Sequence, residues 1–274
     1  MPELPEIETV TRGLQKSILG CKFKDIKLSE YKLRISFPDN LKNLLVGSKV
    51  IAIARRAKYV VIELDNGLLL IIHLGMSGKI FITDHTQTAF PKHTHFIGTM
   101  DQNTIFYLVD ARRFGLVTTV AKESLNTHHL FSNLGPEPLT HEFNTAYLLD
   151  SLKSKSIPIK VALMDNKIVV GVGNIYASES LFLAGISPLR PASTLTAIEG
   201  QKLVNAIRVT LNKAIDLGGS TLKDYQQVNG EKGYFQSEFN VYGRNKLACY
   251  SCSTEIIKIV QSQRATFYCA ICQK

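Results

Sequence analysis

Gly135-Pro136-Glu137-Pro138 divides a chain of 274 residues into two textures. Proline fixes φ and withholds an N–H, so the pair at 136 and 138 marks a hinge rather than part of a regular element. Before the hinge, short apolar runs alternate with polar residues and turn signals. Residues 23–28, 33–37, 50–53, 59–64, 68–73, 79–83, 95–100, 104–109 and 116–120 read as strands, with Asp65-Asn66-Gly67 supplying a tight hairpin turn. Strands without helices between them make an all-β block, most simply a sandwich. The start of the chain differs: Ile7, Val10, Leu14 and Ile18 recur at helical spacing, and Gly20 ends the run. After the hinge the period becomes helical over residues 143–153, 159–164, 174–184 and 197–217, the last carrying Leu203, Ile207, Leu211 and Ile215 on one stripe. Residues 218–236 are Gly-rich, polar and aperiodic, and a segment of that length inside a domain is usually functional or disordered. The expected fold class is α+β. An N-terminal helix and β-sandwich occupy residues 1–134, a helical domain with the aperiodic loop occupies 135–236, and a metal finger occupies 237–274.

The finger rests on Cys249-Tyr250-Ser251-Cys252 and, after sixteen intervening residues, Cys269-Ala270-Ile271-Cys272. A doubled Cys-x-x-Cys is zinc spacing, and four thiolates close a tetrahedral site that leaves no open position for water, so the Zn²⁺ is structural. Cys21 is left over and reads as a packed thiol. Between the pairs, residues 255–260 and 265–268 form two strands turned at Gln261-Ser262-Gln263-Arg264, which places Arg264 near a hairpin tip. The net charge of +9 favours a polyanionic partner. No apolar run reaches the roughly 18 residues a membrane span requires. The acidic start differs from a secretory or transit peptide. These features point to an intracellular protein, in which cysteines bind metal or pack rather than pair.

Met1-Pro2-Glu3-Leu4-Pro5-Glu6 carries the chemistry. Once Met1 is trimmed, the Pro2 nitrogen is a secondary amine, and an α-amino group with a pKa of roughly 7.7–8.0 is partly unprotonated near neutrality. Glu3 and Glu6 lie beside it as proton donors or acceptors. The bland alternative is that two prolines and two acids merely start a helix. Gly171-Val172-Gly173-Asn174 is a weak match to a dinucleotide fingerprint and a better one to a Gly turn feeding a helix capped by Asn174, an end that suits phosphate. Met76, in Gly75-Met76-Ser77-Gly78, and Phe114, between Arg113 and Gly115, are apolar side chains in basic, Gly-flanked loops. Exposed, they would unstack a base step; folded back, they are core.

Pro2-Glu3-Leu4-Pro5-Glu6, His73-Leu74-Gly75-Met76, Arg112-Arg113-Phe114-Gly115, residues 171–177 and the four-cysteine finger occur together and in order. On these motifs the chain resembles bacterial formamidopyrimidine-DNA glycosylase from end to end. The resemblance implies a β-sandwich, a helix–two-turn–helix DNA-binding element and a zinc finger, with damaged double-stranded DNA bound across the cleft between the halves. It implies a bifunctional glycosylase/AP lyase of base-excision repair: Pro2 attacks the sugar C1′ of an oxidised purine, expels the base and forms a Schiff base, and β- and δ-elimination follow. Glu3 is then the general acid/base, Lys58 the proton donor of β-elimination and Arg264 that of δ-elimination. Met76, Arg112 and Phe114 fill the space left by the flipped nucleotide, with Arg112 addressing the orphaned cytosine. Asn174 and Arg264 hold the extruded nucleotide's phosphate, and Tyr242, Lys160, His73 and His93 make further backbone contacts. The 218–236 loop closes over the everted base. A monomer in the bacterial cytoplasm, associated with the nucleoid, is expected. Thr94 in His93-Thr94-His95 departs from the acidic residue expected there.

Two rivals remain. An endonuclease VIII-type glycosylase uses the same nucleophile on oxidised pyrimidines, but typically has Gly where this chain has Leu4 and lacks Arg-Arg-Phe-Gly. A non-catalytic zinc-finger protein that binds nucleic acid explains the charge and the finger, but gives no reason for Pro2 beside two carboxylates.

Overall fold

A computed structural model describes residues 2–221 and 226–274. The chain forms two compact units, one of Met1–Ser132 with Leu217–Tyr234, the other of Asn133–Asp216 with Phe235–Lys274.

The first unit is the helix and β-sandwich read from the sequence. Helix α1 (Leu4–Ile18) starts with Pro5 in its first turn and buries Ile7, Val10, Leu14 and Ile18. Strands β1 (Phe23–Leu28), β5 (Lys79–Asp84), β6 (Thr94–Met100) and β7 (Thr104–Val109) make one antiparallel sheet in the order β1-β6-β7-β5. Strands β2 (Val50–Arg56), β3 (Tyr59–Leu64), β4 (Leu68–His73) and β8 (Leu116–Ala121) make the other, in the order β2-β3-β4-β8. Phe23, Ile80, Phe96, Phe106 and Leu108 of the first sheet join Val60, Ile62, Leu70, Ile72 and Val117 of the second in one buried core, which α1 completes. The β3–β4 turn is the expected one: Gly67 takes φ +80°, and the Asn66 side chain accepts from the Leu68 N–H.

Two expectations fail here for physical reasons. Residues 33–37 join no ladder; instead the Arg34 N–H donates to the Gly115 carbonyl, and Pro38 precedes a short helix, α2 (Leu41–Leu45). Alternation alone does not guarantee a neighbouring strand. The second concerns the 218–236 loop, read as part of the helical domain. Up to Tyr234 it belongs to the sandwich unit: the Ser220 N–H donates to Glu6 Oε1 at 2.7 Å, and the Ile82 N–H to the Val228 carbonyl at 2.9 Å. Aperiodic sequence carries no record of where it docks.

In the second unit, α3 (Thr145–Leu152) is capped by Asn144, whose side chain accepts from the Tyr147 N–H. Helices α4 (Ile159–Leu163), α5 (Asn174–Ala184) and α6 (Ala197–Asp216) follow, and α6 buries Leu203, Ile207, Leu211 and Ile215 as the stripe required. The chain ends in an antiparallel hairpin, β9 (Ile257–Gln261) and β10 (Arg264–Tyr268). No helix among the described residues is long and apolar enough to cross a membrane.

Candidate DNA-processing site

Pro2 is buried immediately before α1, and Glu3, the helix N-cap, is 2% exposed. Glu6 is equally buried, and its carboxylate is committed to structure: Oε2 accepts from the Glu3 N–H at 2.8 Å while Oε1 accepts from Ser220. The Glu3 side chain in turn accepts the Glu6 N–H, which completes a capping box. Glu6 thus has both oxygens engaged and fixes the turn that carries Pro2, while the Glu3 carboxylate, bonded to the same turn, directly follows Pro2.

The wedge candidates lie together elsewhere in the same unit. Met76 is 39% exposed and Phe114 44%, so neither folds back into the core. The exposed Arg112 sets its guanidinium 4.9 Å from the Phe114 ring centroid, a cation–π distance. His73, at the end of β4, accepts the Gly75 N–H on Nδ1 at 2.9 Å. Burial, and after it the charges of Lys58 and Arg34, lower its pKa to about 4. At neutral pH it is an uncharged ring whose Nε2–H is a donor, so any DNA contact it makes is a hydrogen bond and not an ion pair. Lys58 is half-buried in the β2–β3 turn, where Ala57 takes φ +53°. His93 is exposed at φ +67° and lines a depression of about 440 Å³ with Lys92, Arg113, Tyr31 and the buried His95.

The second unit holds the other set. Lys160 is 1% exposed, and its ammonium donates to Asn174 Oδ1 (2.5 Å), the Ala265 carbonyl (3.0 Å) and Thr266 Oγ1 (2.7 Å). An ammonium has three N–H donors. These three bonds tie the ammonium to Asn174 and to the strand that follows Arg264. Asn174 differs from its reading: the N-cap of α5 is Gly173, and Asn174 is the first helical residue. Its Nδ2 donates to the Ala265 carbonyl at 2.9 Å and to the Tyr242 hydroxyl at 3.4 Å. Lys160, Asn174, Tyr242 and the hairpin bearing Arg264 therefore form one hydrogen-bonded group. Arg264 itself is exposed and, with Lys160, Gln261 and Ser262, lines a hollow of about 200 Å³. Ser262 and Gln263 take φ +45° and +62°, the two left-handed residues of a type I′ hairpin turn.

Cys249, Cys252, Cys269 and Cys272 converge with all four Sγ atoms within 4.8 Å of one another. The Cys252–Cys269 and Cys249–Cys272 pairs stand at 3.4 and 3.9 Å, too far for disulfides and close to the ~3.8 Å edge of a tetrahedron with ~2.3 Å metal–sulfur bonds. The Thr254 N–H is the main cause lowering the Cys252 thiol to about 6, whereas Cys272, hydrogen-bonded first to Cys252, is pushed up to about 12. Four thiols this close shed one proton readily and the last with difficulty. A divalent cation removes that repulsion, so the group fits a metal ion.

Sequence reasoning missed Glu179. Only 2% exposed on α5, its carboxylate accepts the N–H groups of Asn240 (2.8 Å), Val241 (2.9 Å) and Tyr242 (2.8 Å) and the Asn240 amide (3.1 Å). The available signal was an acid within an otherwise apolar and small helix face, Ile175 to Leu181.

Known proteins resemble this chain over its full length. The formamidopyrimidine-DNA glycosylase N-terminal domain matches residues 1–117, and the formamidopyrimidine-DNA glycosylase H2TH domain residues 134–226. The formamidopyrimidine-DNA glycosylase of Jannaschia sp. (strain CCS1) is 44% identical over 283 residues, with both chains covered in full. That of Wolbachia pipientis subsp. Culex pipiens is 47% identical over 274, again with full coverage. Among solved structures, the MutM (Fpg) protein of Thermus thermophilus superposes with a TM-score of 0.89 at 36% identity, covering 99% of this chain and 98% of that one. A Lactococcus lactis Fpg mutant in complex with a Fapy-dG-containing DNA reaches 0.92 at 33% identity, with full coverage of both. Similarity of this extent defines a DNA glycosylase that also cuts abasic sites. The chain belongs to the formamidopyrimidine-DNA glycosylase family, whose work in base-excision repair is the removal of oxidised purines.

Proposed function

We propose that the Pro2 nitrogen, freed by removal of Met1, attacks C1′ of the damaged nucleoside in duplex DNA. The C1′–N bond breaks, the base leaves, and the sugar ring opens to an iminium on Pro2. Glu3 moves the protons of these steps. Lys58 serves the β-elimination that releases the 3′ phosphate, and Arg264 the δ-elimination that releases the 5′ phosphate. The target nucleotide is turned out of the stack, since C1′ and the lesion edge are out of reach within it. Met76, Arg112 and Phe114 occupy the vacated step, with Arg112 at the orphaned cytosine. Asn174, Arg264, Tyr242, Lys160, His73 and His93 engage the backbone, with Lys160 also steadying Asn174. The four cysteines hold one structural Zn²⁺, which keeps the Arg264 hairpin in place, and the 218–236 loop, of which residues 222–225 lie outside those described, covers the everted base. The protein acts as a monomer, on DNA of the bacterial nucleoid.

The observation that carries this reading is the placement of Pro2, buried directly before a helix and next to a buried Glu3, so that removal of Met1 would leave an amine and a carboxylate together, shielded from water. The exposed Met76 and Phe114 support the wedge, because side chains of that kind are normally withdrawn from water.

Borohydride trapping tests it. The Met-trimmed protein is reduced on a duplex with 8-oxoguanine opposite cytosine, and the linked peptide is identified by mass spectrometry. An adduct at Pro2 is expected, lost in Pro2→Gly and Glu3→Gln while DNA affinity is retained. An adduct at a lysine, or none on this duplex but one on an oxidised pyrimidine, overturns the reading.

A further inference from the structure

Asp110, just after β7, is a carboxylate with 0% exposure that the proposed chemistry does not use. Its Oδ1 accepts the Ser77 hydroxyl at 2.6 Å and the Arg112 N–H at 3.3 Å, and its Oδ2 accepts the Gly115 N–H at 2.7 Å. Ser77 follows Met76, while Arg112 and Gly115 bracket Phe114. One carboxylate thus holds both loops that carry exposed apolar side chains.

The backbones agree. Gly75 takes φ +60°, and a Cβ there would lie 2.4 Å from the Phe114 carbonyl carbon and 2.6 Å from the Gly115 nitrogen. A Cβ on Gly115 would meet Asp110 Oδ2 and the His73 carbonyl oxygen, each at 3.0 Å. The two loops approach backbone to backbone, as only glycine permits. The Asp110 backbone is anchored from behind, because His95 donates Nε2–H to the Asp110 main-chain carbonyl at 3.1 Å and accepts the Ser29 hydroxyl on Nδ1 at 2.8 Å.

We propose that Asp110 is a positioning residue that clips the Met76 loop and the Arg112–Phe114 loop into a single preformed wedge, so that turning a nucleotide out of the duplex depends on a carboxylate that touches no DNA. Loops left free would withdraw Met76 and Phe114 from water and would lose conformational entropy each time the wedge entered a base step. Clipped loops present both side chains in their working positions before DNA arrives. The proposal rests on reading Met76 and Phe114 as the wedge.

The test compares two reactions under single turnover: excision of 8-oxoguanine opposite cytosine in a duplex, and cleavage of a preformed abasic site in a single-stranded oligonucleotide, which requires no extrusion from a stack. Asp110→Asn keeps the shape but puts an NH₂ where an acceptor stood. Ser77→Ala releases only the Met76 loop and leaves the Gly115 bond intact. Loss of a charge-assisted bond should slow duplex excision by about tenfold or more in Asp110→Asn, and less in Ser77→Ala, with strand cleavage of the single-stranded substrate within about twofold of wild type. An equal fall in both reactions, in the variant that keeps the wild-type melting temperature, would mean a general structural role and overturn the clip. Undiminished excision by both variants would overturn it as well. Phe114→Ala and Met76→Ala separate the premises: wild-type excision by these sinks the wedge assignment and the clip with it, whereas slow excision by these beside wild-type rates in Asp110→Asn and Ser77→Ala sinks the clip alone.

Discussion

Replacing Glu179 by glutamine removes half of a buried acceptor without changing its size. Four N–H groups converge on the carboxylate, two on each oxygen. A glutamine retains one oxygen, and the more favourable rotamer keeps it for Val241 and Tyr242, two backbone amides against one. The new NH₂ then faces Asn240, whose side-chain amide can flip to offer its oxygen but whose backbone N–H is left without an acceptor. An orphaned buried donor costs about 1–3 kcal/mol, and the two surviving bonds lose their charge assistance, so about 3 kcal/mol in total is expected. For a unit of this size each kcal/mol corresponds to about 3–4 °C, which places the melting transition of the helical and finger unit about 10 °C lower. Differential scanning calorimetry on the zinc-loaded protein measures it, with Glu238→Gln as the control. Glu238 pairs with Lys213 on the surface, 40% and 54% exposed, and a pair of that kind contributes about 0.5 kcal/mol. Equal shifts for the two variants would refute the claim that Glu179 anchors the segment entering the finger.

Other expectations follow from the same geometry. Lys160→Met strips the partner from Asn174 Oδ1, Ala265 and Thr266, and should weaken DNA binding by displacing Asn174 and the Arg264 hairpin; wild-type affinity by fluorescence anisotropy would count against the positioning role. Mercurial titration of the four finger thiols should release one Zn²⁺ per chain to a chromophoric indicator and abolish DNA binding, whereas release without loss of binding would make the finger dispensable. For His73, the unfolded imidazole takes a proton near 6.5 and the folded one only near 4, so the unfolded state binds more protons between those values. Its contribution to stability is complete above about pH 6.5 and lost as pH falls toward 4; melting temperatures of wild type and His73→Gln should converge over that window, and parallel curves would refute it. Affinity for duplex DNA should fall linearly on logarithmic axes with salt, and Arg264→Ala should reduce the slope by about one if Arg264 meets a phosphate.

The parts legible in the sequence were those whose cause is local. The α1 stripe, the Asp65-Asn66-Gly67 turn, the α6 stripe and the doubled Cys-x-x-Cys each depend on spacing along a short stretch of chain; the first three stand in the structure as read, and the four thiols converge as a metal site requires. The misreadings share the opposite property. Residues 33–37 have the alternation of a strand, but a strand exists only if another edge accepts it, and here Arg34 found Gly115. Asn174 has the side chain of an N-cap, but the α5 cap is Gly173, and the bonds Asn174 makes to Ala265 and Tyr242 lie far from it in sequence. Asp110 and Glu179 carry no motif because the groups they hold are largely backbone amides, and a backbone amide is the same at every non-proline position. Sequence motifs record the side chains that meet the substrate more readily than those that meet the chain itself. Several candidate substrate-facing residues sit on or beside turns with positive φ, at Ala57, His93, Arg113, Ser262 and Gln263, conformations that side chains other than glycine adopt only when something holds them. The Asp110 carboxylate on either side of Arg113, the Arg55 guanidinium on the Ala57 carbonyl and the Lys160 ammonium on the strand after Ser262 and Gln263 are groups placed to hold such turns. The function legible in the sequence therefore depends on a second set of residues that only the folded chain reveals.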